Sequence, residues 1–133
     1  MINDLLDKIV IFQKQYPNIY VGGSVALMLQ DAIPYRIPKD IDLITSQKVH
    51  IYDLFTETQD ISNKHPMRRI VNMYGTKWEL FYNPKASYIE HYYKGHHIKI
   101  SPIQEVYDWK IKFSKKYPED KKHIKDIEYY NGI

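Results

Sequence analysis

Two aspartates bracket an isoleucine, Asp40-Ile41-Asp42, at the head of a stretch from Ile41 to Thr45 that is otherwise apolar or β-branched. No other feature constrains the fold as strongly. Residues two apart in a strand share a face, so both carboxylates fall on one side and Ile41 and Leu43 on the other. The chain must then build a sheet with one face turned to an apolar core and one face on which like charges stand together. Like charges repel, and Asp is depleted in strands. Two arrangements relieve this. Either Asp40 lies in the loop and only Asp42 is on an exposed strand start, or a divalent cation holds the pair, because Mg²⁺ favours carboxylates together with phosphate oxygens.

Two further elements bear on that choice. Upstream, Val21-Gly22-Gly23-Ser24-Val25 reads as a strand that breaks at a Gly-Gly-Ser turn and opens a helix. Glycines let a phosphate approach the backbone closely, and the N–H groups and dipole of a helix start face an anion. The same turn serves equally as a tight connection with Ser24 capping the helix. Downstream, Glu79 sits in the strand-like Lys77-Trp78-Glu79-Leu80-Phe81. It shares a face with Lys77 and Phe81, opposite Trp78 and Leu80. It reads either as a third carboxylate beside the aspartates or as a surface partner for Lys77.

The rest of the chain supports a mixed α/β reading, a small mixed sheet flanked by helices. Residues 2–15 have helical apolar spacing, with Asn3 and Asp4 in the first turn and Pro17 beyond the end. Residues 19–21 form a strand and 25–29 a helix. Pro34 and Pro38 make 31–38 a loop, 41–45 is a strand and 49–58 a helix. Residues 68–74 and 76–82 read as a hairpin turning at Gly75, and 88–93 with 96–100 as a second around Lys94-Gly95. Pro102 suits a helix start after a Ser101 cap, and that helix runs to about Lys116. Pro118 separates it from a last helix at roughly 119–130.

At 133 residues the expectation is one domain, since single cores occupy about 100–150 residues. Within 1–133, a core spans about 17–100 and a helical part about 101–131. With no cysteine, disulfides, Cys zinc sites and thiol nucleophiles are excluded. No apolar run approaches the roughly 20 residues of a membrane span. The start, MINDLLDKIVIF, carries acids where a signal peptide carries positive charge, which predicts a cytoplasmic protein. The formal net charge is +3, unevenly spread: −3 over residues 1–60 and +6 over 61–133.

A Gly-Ser turn opening a helix, then a carboxylate pair separated by one apolar residue, then an acid on a later strand resembles the DNA polymerase β-like nucleotidyltransferase superfamily. The resemblance is closest to its minimal nucleotidyltransferases, a group that includes small antibiotic nucleotidyltransferases and antitoxin partners of toxins. The C-terminal stretch Ser101-Pro102-Ile103-Gln104-Glu105-Val106-Tyr107-Asp108-Trp109-Lys110 ends on a lysine where relatives place one facing the nucleotide. Asp120-Lys121-Lys122-His123-Ile124-Lys125-Asp126-Ile127 is similar to the family tail R-x-K-D-x-x-D-I, without its arginine. Two other departures are the long gap from Ser24 to Asp40 and Glu79 in place of the commoner Asp.

The resemblance implies transfer of a nucleoside monophosphate, AMP first, from a nucleoside triphosphate to a hydroxyl of a protein, an RNA or a small molecule. It implies two Mg²⁺ ions held by Asp40, Asp42 and Glu79, which are also the catalytic set, with the ions stabilising attacking and leaving oxygens. Gly22, Gly23, Ser24, Lys39 and Lys110 would bind the nucleotide, and Arg36 and Lys77 are weaker candidates. With so little chain beyond the catalytic core, the acceptor would come with a toxin-like partner protein or sit in a homodimer cleft. Two other classes compete: a binding module that keeps the fold without catalysis, and a nucleic-acid binder using Lys110, Lys112, Lys115, Lys116, Lys121, Lys122 and Lys125, a run broken by acids. The six histidines lack zinc-ligand spacing. The tyrosines at 88, 92, 93, 129 and 130 either stack on a base or cover apolar surface.

Overall fold

In the computed structural model, residues 2–32, 37–53, 68–116, 118 and 124–128 are described. The chain opens with α1 (Ile2–Gln15), whose Leu5, Leu6, Ile9 and Phe12 are buried at the spacing of one helix face. Then come β1 (Ile19–Gly22), α2 (Gly23–Leu29), β2 (Ile41–Thr45) and α3 (Lys48–Asp53). Two hairpins follow, β3 (Arg68–Met73) with β4 (Thr76–Tyr82), and β5 (Ile89–Tyr93) with β6 (His96–Ile100). The chain continues through α4 (Ile103–Lys116) and a helical turn at 124–128.

The expected strands stand within a residue of their predicted limits. Both hairpins turn through two residues of positive φ, Tyr74 (53°) with Gly75 (70°) and Lys94 (47°) with Gly95 (83°). That is the primed-turn geometry whose twist matches the strands. The predicted helix at 49–58 is seen over Lys48–Asp53, and its remainder lies outside the described residues. So do the Pro34 part of the loop, with Arg36, and most of the last predicted helix. At the start of α4 the carbonyl of Pro102 accepts the Val106 N–H at 3.3 Å, while the Ser101 N–H donates to Val21 O at 2.8 Å. Ser101 thus extends the sheet pairing, and the helix begins after it.

The six strands form one mixed sheet in the order β3-β4-β2-β1-β6-β5. β1 is antiparallel to β2 and parallel to β6; β2 is parallel to β4. Along each inner strand burial alternates: Ile41, Leu43 and Thr45 are buried, as are Trp78 and Leu80, while Asp42, Ile44, Glu79 and Phe81 are half-buried. The buried set faces α1, with the Phe12 and Trp78 rings 5.3 Å apart. Burying side chains of this size contributes roughly 1.5–3 kcal/mol each. Gln13 of α1 fastens the helix down. Its amide donates to Ile19 O at 3.1 Å and Lys99 O at 2.9 Å, and its oxygen accepts the Lys99 N–H at 3.0 Å. No helix among the described residues is long and apolar enough to cross a membrane.

Candidate active site

The site is built by register on the face opposite α1. Gly22 of β1 stands beside Asp42 of β2, and Asp42 stands beside Glu79 of β4. Neighbouring strands are about 4.8 Å apart, and directly paired residues point the same way. Glycine, aspartate and glutamate thus form one row across three central strands. Asp40 lies in the bend just before β2, half-buried, and Lys39 before it is exposed.

At the head of the row the backbone makes room for the Asp42 carboxylate. A Cβ on Gly23 would fall 2.0 Å from Asp42 Oδ2 and 2.7 Å from its Cγ. Gly23 also has φ +54°, a left-handed conformation that side-chain-bearing residues rarely adopt. Only glycine meets both conditions. Gly22 is nearly as tight, since a Cβ there would meet Ile44 Cγ1 at 2.7 Å. The role of Ser24 differs from a cap: the cap position belongs to Gly22, with no side-chain cap hydrogen bond. Ser24 is buried one residue inside α2.

Glu79 has turned toward its own strand. Its Oε1 is 2.8 Å from Lys77 Nζ, with the lysine side chain 42% and the glutamate 14% exposed. Among the described residues, no three His, Asp or Glu side chains converge on a common point. Asp42 and Glu79 are brought side by side by register, Asp40 is placed at the strand's entrance, and Glu79 would have to leave Lys77 to join them. The donors are of the kind a hard divalent cation takes: all are carboxylates, with Asp42 and Glu79 paired on one sheet face and Asp40 at the entrance to β2.

Lys110 is where the structure departs from expectation. The resemblance places it facing a nucleotide, but its side chain is 1% exposed, and its Nζ lies 3.0 Å from Oδ2 of Asp126, which is 0% exposed. Lys110 follows Val106 and Tyr107 at helical spacing in the buried stripe of α4, and a lysine in such a stripe needs a buried partner. That spacing was the available signal that Lys110 is buried; nothing local in the sequence named Asp126 as its partner. Elsewhere in the lysine run, Lys112, Lys115, Lys116 and Lys125 are exposed; Lys121 and Lys122 lie outside the described residues. Of the tyrosines, Tyr88 packs at a tilt against Tyr20 with centroids 4.8 Å apart, and Tyr93 donates to Asp7 at 2.7 Å. Tyr129 and Tyr130 lie outside the described residues.

No family model matches the chain, and no curated protein sequence matches it. Solved structures do. A protein from Thermotoga maritima described as a candidate nucleotidyltransferase superposes with a TM-score of 0.64 at 20% identity, over 88% of this chain and 87% of that one. ANT(2″)-Ia, solved in complex with adenylyl-2″-tobramycin, gives 0.63 at 14% identity, over 96% and 86%. An antigenic nucleotidyltransferase-like protein from Paracoccidioides brasiliensis gives 0.57 at 13%, over 96% and 73%. The chain has the fold of these three proteins.

Proposed function

We propose that this chain is a nucleotidyltransferase that moves AMP from ATP to a hydroxyl acceptor. The observation that carries the proposal is the row Gly22–Asp42–Glu79 on one sheet face, with Asp42 packed over the space a Gly23 side chain would occupy. AMP is the first nucleotide to try because the ligand of ANT(2″)-Ia is an adenylylated product.

In this reaction the acceptor hydroxyl oxygen forms a bond to the α-phosphorus. The bond from that phosphorus to the bridging oxygen of the β-phosphate breaks, and pyrophosphate leaves. The hydroxyl proton passes to a carboxylate of the row. Asp40, Asp42 and Glu79 would hold Mg²⁺, which when bound neutralises triphosphate charge and acidifies the hydroxyl. Gly22, Gly23 and Ser24 line the place of the phosphates, and Lys39 and Lys77 stand nearest in sequence to the acids as sources of positive charge. Lys77 is paired with Glu79 in the free protein, so nucleotide entry would exchange one partner for another. The acceptor is a small molecule or a partner protein that brings its own hydroxyl.

Calorimetric titration with each of the four nucleoside triphosphates in Mg²⁺ tests this. The expected result is binding by the parent chain and at least a tenfold loss in Asp42→Ala and Asp40→Ala, with both variants folded by circular dichroism. No binding of any of the four by the parent overturns the proposal and leaves a fold used for association alone.

A further inference from the structure

The ion pair of Lys110 with Asp126 has almost no contact with water, which is an unusual place for two opposite charges. Removing two ions from water costs more than their attraction returns unless the geometry is good. Here it is good: 3.0 Å, with one charge from the middle of α4 and the other from the helical turn at 124–128. The pair joins two segments 16 positions apart in the chain.

What α4 touches gives the pair its consequence. Trp109, the neighbour of Lys110, packs edge-on against Phe81 at 5.4 Å and stacks on Phe113 at 4.9 Å. Phe81 is on the same face of β4 as Glu79, two residues on. At its other end the chain just before α4 is tied to the site's second wall. Gln30, just after α2, donates to Ser101 O at 2.9 Å and to Ala26 O at 3.0 Å, and α2 packs against α4. The helix thus bridges the strand that carries Glu79 and the helix that begins at Gly23.

We infer that Lys110 and Asp126 are positioning residues: together they pin the C-terminal turn to α4 and so hold α4 at its height over the acidic row, and Lys110 does not itself meet the nucleotide. This rests on the reading of that row as a nucleotide site. The triphosphate charge must then be answered from the β2 and β4 side.

A double-mutant cycle tests it, using Lys110→Met, Asp126→Leu and the two together. Melting temperature and MgATP affinity are measured by calorimetry, the affinities at a temperature where all four chains are folded. Either single change strands a buried charge, whereas the double change removes both. Each single variant is expected to melt about 10 °C or more below the parent, and the double variant to regain at least half of that. Affinity for MgATP is expected to fall about tenfold in the folded single variants and to return to within about threefold of the parent in the double. Three results overturn the inference. Melting losses that simply add show that the charges do not act as a pair. Folded single variants that bind as the parent does disconnect the pin from the site. A double variant that recovers its melting temperature but still binds tenfold more weakly makes Lys110 a direct nucleotide contact. A parent chain that binds no nucleotide is a different failure: it removes the nucleotide site, and the positioning role with it, whatever the variants do.

Discussion

On the α1 side of the sheet stand Val21, Leu43 and Leu80, all without solvent exposure; one residue along, on the other side, stand Gly22, Asp42 and Glu79. The same three strands carry both rows. The first row is apolar and interlocks with Leu5, Ile9 and Phe12 of α1. The second sets two carboxylates beside one another and leaves a glycine where a side chain would fill the gap. Side-by-side like charges oppose folding, so the second row is sustained by the burial on the first. Because strand side chains alternate, a slip of one residue would exchange the rows, and the apolar row therefore also fixes the register of the acids. Stability and the proposed chemistry thus belong to opposite faces, and if that proposal holds, substitutions should separate in the same way.

The largest expected contrast is between Trp78→Ala and Asp42→Asn. Trp78 is fully buried and touches the Phe12 ring. Its truncation should cost about 3–5 kcal/mol, since a cavity is added to the lost burial. Asp42→Asn should leave stability within about 1 kcal/mol of the parent, or raise it, by removing one of two neighbouring negative charges. Urea denaturation measures both, and MgATP titration should invert the order, with binding lost in Asp42→Asn and retained by the folded fraction of Trp78→Ala. A Trp78→Ala chain that keeps parental stability would break the division of labour between the faces.

Gly23→Ala should sharpen it, because that position serves both. The added methyl meets Asp42 Oδ2 at 2.0 Å and is held at φ +54°. The backbone strain is of order 1–3 kcal/mol, and the clash must push Asp42 from its place in the row. The expected outcome is a moderate loss in urea midpoint with loss of MgATP binding comparable to that of Asp42→Asn. A variant that loses stability but binds normally would show that the carboxylate is not where binding happens.

The alternation that separates the faces was legible in the sequence, residue by residue. Asp42 and Glu79 stand out because each interrupts an apolar strand, and the turns at Gly75 and Gly95 announce their hairpins. The order of the strands was not legible. β1 pairs with β6 through Val21 and Ile100, and no local signal chooses a partner so far along the chain. That Glu79 lies beside Asp42, and not one strand farther away, follows from this order. Lys110 marks a different limit. Helical periodicity places it in a buried stripe, yet a resemblance assigns residues by position in a motif and is silent on burial. The side chain's partner, Asp126, comes from a separate segment whose docking only the folded chain displays. Ser101 misleads for a related reason: it has the chemistry of a helix cap, but its N–H continues the pairing of β1.

The smallest expected effect is at the end of β2, where the apolar face finishes in a buried polar group. Thr45 is fully buried; its Oγ1 accepts the Gln47 N–H at 3.1 Å and lies 2.6 Å from His50 Nδ1. Burial holds the His50 imidazole below its ordinary value of 6.5, so the folded chain keeps it neutral where the unfolded chain has begun to take up a proton. The group's stabilisation is present above 6.5 and is lost as pH falls through the lowered folded-state value. Between pH 7.5 and 5 the parent should therefore lose more melting temperature than His50→Gln, measured by calorimetry across that range. Equal pH slopes in the two chains would mean that the ring is as well solvated as in the unfolded state. In that case the polar cap on Thr45 contributes nothing to the face that supports the acidic row.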